Sequence, residues 1–440
     1  MFNWRRPIIY FLFYLSGSKI PANLRLLHGF EKMSGAKQQQ YQQDKLKEIL
    51  LHAYNHVPYY HKILSESGVV DNGQVNLDNF NQIPLLTKDI IRQEGANLYS
   101  DDYQKRKFYQ NTSGGSTGEP VKFLQDHYYD ESNIATKIHF NEILGKSLGD
   151  KEIKLWGSDR DIIKGNLALR DRCINWLYNR RFLNSYNFSS DKMKELVELN
   201  NNFKPVSYWT YVDSTYEFSK FVSANNIKLY SPKYIVTSIG PLYPEIKSSI
   251  ELAFNCPVYN QYGSRELGAV AFQDKIDSDL QVFFWRHLVE ISDLRDGMGR
   301  VVVTCLDNFS MPLIRYEVGD VAQPGVYYNF SRTKSYLNLH NVVGRTLGYF
   351  KTQSGGLKHT HFIIQQLFFR DWIKKFQLIQ KEYNLVELKI VGEANSSQMR
   401  GIEEKIKLFM GADCRTKWNF VDQIDPTPSG KYLYTVCEIK

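Results

Sequence analysis

Cysteine is scarce in this 440-residue chain: Cys173, Cys256, Cys305, Cys414 and Cys437, with no Cys-x-x-Cys pair among them. An odd, scattered set supports neither a secreted disulfide scaffold nor a cysteine-rich zinc site. A reducing cytoplasm is the expected compartment, and buried thiols are the expected role. Long apolar runs are missing too. The best candidate, Ile8 to Leu15, follows Arg5-Arg6-Pro7 and falls short of the roughly 20 residues a spanning helix needs. No small-x-small cleavage site follows Gly17 and Ser18, which argues against a signal peptide. Residues 8–15 are therefore expected to form an amphipathic first helix packed on the body, with peripheral membrane contact as the alternative. Dense Lys/Arg runs are absent as well. The net charge of +8 comes from 55 basic against 47 acidic residues spread along the chain. That gives no support for a nucleic-acid groove and leaves a mild basic bias suited to anionic ligands, phosphates or a membrane surface.

What is present describes an ordinary globular protein, with a hydrophobic fraction of 42% and a charged fraction of 23%. At roughly 150 residues per domain, the length allows two or three domains. Leu46, Ile49, Leu50 and Ala53 share one face of an amphipathic helix that Val57-Pro58 stops. Strand-like runs at 234–240, 257–263 and 299–306 alternate with helix-like segments at 190–200 and 243–254, which predicts an α/β body of layered sheets and helices. A boundary near Gly344 separates residues 1–343, with a helical N-terminal extension over 1–108, from a smaller α+β domain over 344–440. In that domain the pattern predicts helices at 361–375 and 397–410 and strands at 386–393 and 432–439.

Four motifs could carry chemistry. Thr112-Ser113-Gly114-Gly115-Ser116-Thr117-Gly118 lies between two β-type runs. Its glycines let backbone N–H groups converge on an anion, and its hydroxyls add donors for phosphate oxygens. No Gly-Lys-Ser/Thr follows, so this is not a Walker loop and a lysine must come from elsewhere. Tyr262-Gly263-Ser264-Arg265-Glu266 closes a strand-like run; the Tyr could stack on a base and the Glu could hold Mg²⁺. Asp320, after Gly319, is placed to accept hydrogen bonds from ribose hydroxyls. Lys431, in Pro428-Ser429-Gly430-Lys431, offers a point charge on a turn.

Together the motifs resemble the adenylate-forming superfamily of acyl-CoA ligases, luciferases and adenylation domains, and within it the phenylacetate-CoA ligase family and its CapK-like branch, associated with capsular polysaccharide synthesis. The resemblance rests on LLHAYNHVPYY (50–60), IPLLTKDIIR (83–92), TSGGSTGEPV, YGSRELGAVA, MPLIRYEVGD, FQLIQ (376–380) and PSGK. It implies a large adenylation domain and a small mobile C-terminal domain. It also implies ATP, Mg²⁺ and coenzyme A as cofactors and co-substrates, with a small carboxylic acid as substrate. Ser116, Thr117 and Gly118 would cradle phosphates, with Thr112, Ser113, Gly114 and Gly115 completing the loop. Tyr262 and Gly263 would flank the adenine and Glu266 would hold Mg²⁺. Asp320, with Arg345, would bind the ribose, and Lys431 would neutralise the carboxylate and α-phosphate. By family position, Trp209, Tyr211, Thr237, Ser238 and Gly240 border the acid pocket.

The chain departs from the family at one point. Gly344-Arg345-Thr346-Leu347-Gly348 puts glycine where an aspartate usually stands at the hinge. No zinc is expected, because the stretch after the Tyr-Gly motif has no cysteine and His287 is a lone candidate. The expected partners are a small carboxylic acid and a second copy in a homodimer, with no nucleic acid. Two alternatives stand beside the coenzyme A reading: acyl transfer to an amine or hydroxyl of a sugar precursor, and a non-catalytic scaffold of the same fold.

Overall fold

A computed structural model describes residues 3–113, 121–156, 169–184, 190–295, 297–343, 349–353, 357–367, 370–425 and 432–439. The chain divides into two compact units, Met1–Val318 with Ala322–Val342, and Gly319–Val321 with Val343–Lys440.

The larger unit begins with four helices, α1 (Arg5–Leu15), α2 (Ile20–Phe30), α3 (Gly35–His56) and α4 (Pro58–Glu66). Pro58 ends α3 as expected, yet it also opens α4, because proline at the first helical position loses no needed N–H bond. Leu46, Ile49, Leu50 and Ala53 are fully buried in the main core. α1 buries only Ile9 and Phe13 and leaves Phe11, Leu12, Tyr14 and Leu15 exposed. A short ribbon, β1 (Val70–Asp71) with β2 (Gln74–Val75), and helix α5 (Lys88–Glu94) lead to a hairpin of β3 (Tyr109–Thr112) and β4 (Lys122–Gln125).

Helix α6 (His127–Ile143) follows, capped by Asp126, whose carboxylate accepts the Tyr129 N–H at 2.8 Å. Next come β5 (Glu152–Leu155), α7 (Leu169–Leu177), β6 (Arg180–Leu183), α8 (Ser190–Phe203), β7 (Ser207–Tyr211), α9 (Val212–Ala224), β8 (Tyr234–Ser238), α10 (Pro244–Phe254) and β9 (Val258–Ser264). The antiparallel part adds β10 (Gly268–Gln273), β11 (Leu280–Val282), β12 (His287–Arg295), β13 (Met298–Cys305), β14 (Tyr316–Pro324), the hairpin β15 (Tyr327–Phe330) and β16 (Thr333–Tyr336), and β17 (Asn338–Val343). Among the described residues these form one eleven-stranded sheet in the order β12-β13-β14-β17-β11-β10-β9-β8-β7-β5-β6.

Strands β6, β5, β7, β8 and β9 run parallel, and the inner strands β7 and β8 are covered on both faces. On one face α6 packs the Phe140 ring edge-on to Trp209, with centroids 6.1 Å apart. On the same side Leu177, the last residue of α7, and Tyr178 pack against the cluster that holds Ala135 and Ile138 of α6. On the other face Tyr208 meets Phe254 of α10 and donates to Asn200 of α8, while Phe218 of α9 also meets Phe254. Burial on both faces explains strands such as YIVTS, which are buried at every position.

The smaller unit holds the hairpin β18 (Tyr349–Lys351) with β19 (Leu357–His359), helix α11 (His361–Leu367), β20 (Ile373–Glu382), β21 (Leu385–Gly392), helix α12 (Ser396–Met410), β22 (Arg415–Phe420) and β23 (Thr435–Cys437). Four of its strands form a sheet in the order β22-β21-β20-β23. The helix expected over 361–375 is shorter: α11 ends at Leu367, and from Ile373 the chain is strand β20, paired antiparallel to β21. FQLIQ is therefore strand, with Phe376, Leu378 and Ile379 buried.

Candidate active site

Open parallel sheets bind ligands beyond the carboxyl ends of their strands, where the strand order reverses. Here β5 leads outward to β6, and β7 then returns to the other side of β5, so the reversal lies between β5 and β7. Register puts Lys154, Trp209, Val236 and Tyr259 in one row across β5, β7, β8 and β9. Tyr211 and Ser238 form the row beyond it, on the same face. Trp156, just past β5, sets its ring 4.5 Å from that of Tyr211. Thr237 occupies the other face, fully buried, with its hydroxyl 3.3 Å from the Tyr259 carbonyl. Gly240, in the turn after β8, has φ +156°, and a Cβ there would meet the Val212 side chain at 3.2 Å. Trp209, Tyr211 and Ser238 thus face the reversal point from one side of the sheet.

The glycine-rich segment is held at its neck. Ser113 is buried; its N–H donates to the Val121 carbonyl at 2.9 Å and its hydroxyl accepts the Val121 N–H at 2.9 Å. Thr112 pairs with Lys122 at the end of the hairpin. Gly114, Gly115, Ser116, Thr117 and Gly118 lie outside the described residues, as do Arg345, Gly348 and Lys431.

At the base of the same hairpin, Gln125 reaches the second motif. Its buried amide nitrogen donates to the carbonyls of Arg265 and Glu266, at 2.9 and 3.1 Å. Those residues form the turn between β9 and β10, where the Ser264 hydroxyl accepts the Leu267 N–H at 3.2 Å. The turn is tight because Gly263 opposes Ala269, and any side chain at 263 would overlap the Gly268 carbonyl oxygen. Gly268 has φ +69°, and a Cβ there would sit 2.6 Å from Asn133 Oδ1. Gly263→Ala is expected to cost about 1–3 kcal/mol, the usual range for forcing extra volume into a packed site. It should be read as a lower urea midpoint, and an unchanged midpoint would show that the hairpin relaxes freely.

Glu266 is buried, and one carboxylate oxygen accepts the Tyr316 hydroxyl at 3.3 Å. Tyr262 is half-buried against the main core. Asp320 lies on β14, half-buried, four residues after Tyr316. β14 is held in place upstream: Arg315, at φ +50°, makes a two-pronged ion pair with Glu290 at 3.0 and 3.1 Å and donates to the carbonyls of Asn81 and Ile83. Leu86 and Tyr316 then form an isolated parallel bridge, so the IPLLTK and MPLIRY motifs are welded together.

Beneath the Glu266 turn sits a buried ionic network. The Arg286 guanidinium, fully buried, pairs with Asp307 at 2.5 and 3.2 Å, donates to Asn133 at 3.0 Å and lies 5.1 Å from the Tyr129 ring centre. Burial alone would raise the Asp307 carboxyl, but Arg286 overrides it and holds it below the usual carboxylate range. Burial, with Arg286 alongside, pushes His287 down to about 3, so this histidine is neutral. The expectations did not include Gln125, Arg286, Asp307 or Lys154. Lys154 did leave a signal: in EIKLW, charged residues alternate with apolar ones on a strand that should be buried on both faces.

Comparison with known proteins finds relatives in both sequence and fold. Residues 352–438 match the CapK C-terminal domain family. Over 408 residues the chain is 23% identical to Protein CapK of Staphylococcus aureus, covering 91% of this chain and 89% of that one. The chain is thus similar to CapK along nearly its whole length. The chain is also 23% identical to a phenylacetate-coenzyme A ligase of Pseudomonas putida, over 69% of its own length and 70% of the relative's. In fold it is similar to 2-hydroxyisobutyryl-CoA ligase solved with an acyl-AMP, with a TM-score of 0.68, 16% identity, and coverage of 92% of this chain and 90% of that one.

Proposed function

We propose that this CapK-like protein activates a carboxylic acid with ATP and then transfers the acyl group to coenzyme A. In the first step a carboxylate oxygen attacks the α-phosphorus, the bond to the β-phosphate breaks, and pyrophosphate leaves. In the second the thiolate sulfur attacks the acyl carbon, the bond to AMP breaks, and AMP leaves. The observation that carries the reading is the Gln125 link: one buried side chain ties the glycine-rich hairpin to the turn bearing Glu266. A phosphate cradle and a cation-binding carboxylate must be fixed relative to each other for in-line transfer, which is catalysed by positioning and charge.

The roles follow from the resemblance. Ser116, Thr117 and Gly118 cradle phosphates, Tyr262 flanks the adenine, Asp320 with Arg345 takes the ribose, and Lys431 faces the reacting carboxylate. Glu266 fits a magnesium ion, which is bound by one or two carboxylates together with substrate phosphates; once bound, that ion would neutralise phosphate charge. Residues 344–440, a mobile domain in this reading, deliver Lys431. Similarity to CapK is what supports a role in polysaccharide synthesis, and it makes an amine or hydroxyl of a sugar precursor the rival acceptor.

The test is ATP–pyrophosphate exchange over a library of carboxylic and amino acids, followed by product analysis with and without coenzyme A. Exchange with one acid class and a thioester product is expected. An amide or ester product would name the rival acceptor, and no exchange together with no ATP binding by calorimetry would favour a scaffold.

The exposed face of α1 supports a peripheral membrane contact. Phe11, Tyr14 and Leu15 are 59%, 80% and 63% exposed, beside Arg5 and Arg6. The protein is expected to float with vesicles containing phosphatidylglycerol, less with phosphatidylcholine alone, and to lose flotation in Phe11→Glu/Leu15→Glu. Equal recovery of wild type and variant would remove the contact.

A further inference from the structure

Two lysines on facing elements at the strand-order reversal have no counter-ion among the described residues. Lys154 is on β5 in the Trp209 row, with its ammonium 5.8 Å from the centre of the Trp156 ring. Lys137 is on α6, one turn before Phe140 and Asn141, which pack that helix onto Trp209 and the Tyr234 hydroxyl. The two ammonium charges act on each other. Neither has a hydrogen-bond or ion-pair partner for its ammonium among the described residues, and both are half-buried rather than sealed.

Among the described residues, no surrounding carboxylate pairs with either of them. The nearby carboxylate of β5, Glu152, is already taken by Lys146 and by Arg180 at 2.6 Å. Asp130, two turns before Lys137 on α6, acts on it without forming an ion pair. Lys146, Lys154 and Arg180 thus gather around one occupied carboxylate, and Lys137 adds its charge to Lys154. Burial, with the Arg180 charge next, pushes Lys154 down to about 7 against the pull of Glu152. Burial, with Arg286 next, pushes Lys137 down to about 8. A structural role would be met better by leucine or methionine in a row that otherwise holds Trp209, Val236 and Tyr259, because an unpaired buried charge is costly. A bound anion would remove that cost.

We infer that the acid this protein takes carries a second anionic group, carboxylate or phosphate, remote from its reacting carboxylate, and that Lys154 and Lys137 bind that group. The inference uses the adenylation reading only to say which end reacts; the anion site itself needs no ATP.

The test is calorimetric titration of the full chain, without ATP, with glutarate, 3-phosphonopropionate and the singly charged pentanoate. At least one doubly acidic probe is expected to bind ten-fold or more tightly than pentanoate, and comparison of the two names the anionic group. Lys154→Met and Lys137→Met should each lose most of that preference. Lys154→Met should also unfold at a urea midpoint no lower than wild type, since it removes a charge that has no partner. Equal binding of all three probes, binding of none, a preference intact in both variants, or a clearly lowered midpoint for Lys154→Met would each overturn the inference. Exchange assays with the tighter probe separate the two claims: a preference without pyrophosphate exchange leaves the anion site standing and removes the adenylation reading.

Discussion

Asp307→Asn is expected to lower the unfolding free energy of this protein by about 3–5 kcal/mol, the cost of breaking one side of a fully buried ion pair. Arg286 has no exposed surface, and Asp307 neutralises its guanidinium through two prongs. Asparagine keeps the shape and one acceptor but leaves the cation uncompensated in a low-dielectric surround. The remaining neighbours cannot take over: Asn133 supplies one acceptor, the Tyr129 ring only a face, and His287 is held neutral. Urea unfolding of the full chain measures the loss. The double variant Arg286→Met/Asp307→Leu should recover most of it, because replacing both partners with apolar groups removes the uncompensated charge. The effect should reach the site as well. Asn133 Oδ1 accepts both from Arg286 and, at 3.2 Å, from the Ala269 N–H, three residues past Glu266. A loss below about 1 kcal/mol in Asp307→Asn would mean that water reaches the guanidinium.

Much of the architecture could be read from the sequence because it is written in local pattern. YIVTS and GRVVVTC are apolar runs of strand length, and Pro58 marks a helix boundary whichever way the chain continues. The helix expected over 361–375 overruns into β20 at Ile373, because apolar residues there fit a helical period as well as a strand. Pairing with β21 and β23 decides for strand, and those partners lie elsewhere in the chain. The site shows the same division. Its motifs, TSGGSTG and YGSRE, are contiguous and could be named. The amide of Gln125 and the pair Arg286–Asp307 act across 140 and 21 residues, and no spacing rule connects them. The charges of Lys154 and Lys137 act together only because α6 packs over the sheet where β5 borders β7. A lysine on a strand reads as a solvated edge until the strand order shows that it is inside.

Lys431→Ala is expected to slow acyl-adenylate formation by about 10²–10³-fold, the usual loss when one charge or donor aimed at a developing negative centre is removed. The first step brings a carboxylate against a triphosphate, anion against anion, and the glycine-rich loop offers hydrogen-bond donors but no lysine of its own. A cation must therefore arrive from elsewhere in the chain. The second step does not ask for it, because the acyl-adenylate carries no free carboxylate. Transfer from a supplied acyl-adenylate to coenzyme A should therefore proceed in Lys431→Ala at close to the wild-type rate. Glu266→Gln gives a different signature. It removes charge from the cation site while keeping the shape of the turn and the Tyr316 contact, so the loss of exchange should be relieved in part by raising Mg²⁺. Single-turnover pyrophosphate release, compared with thioester formation from added adenylate over a magnesium series, separates the two variants. If Lys431→Ala damaged both half-reactions equally, the lysine would belong to the fold of residues 344–440 rather than to the chemistry. If Glu266→Gln lost exchange at every magnesium concentration, its carboxylate would be holding the hairpin and not the ion.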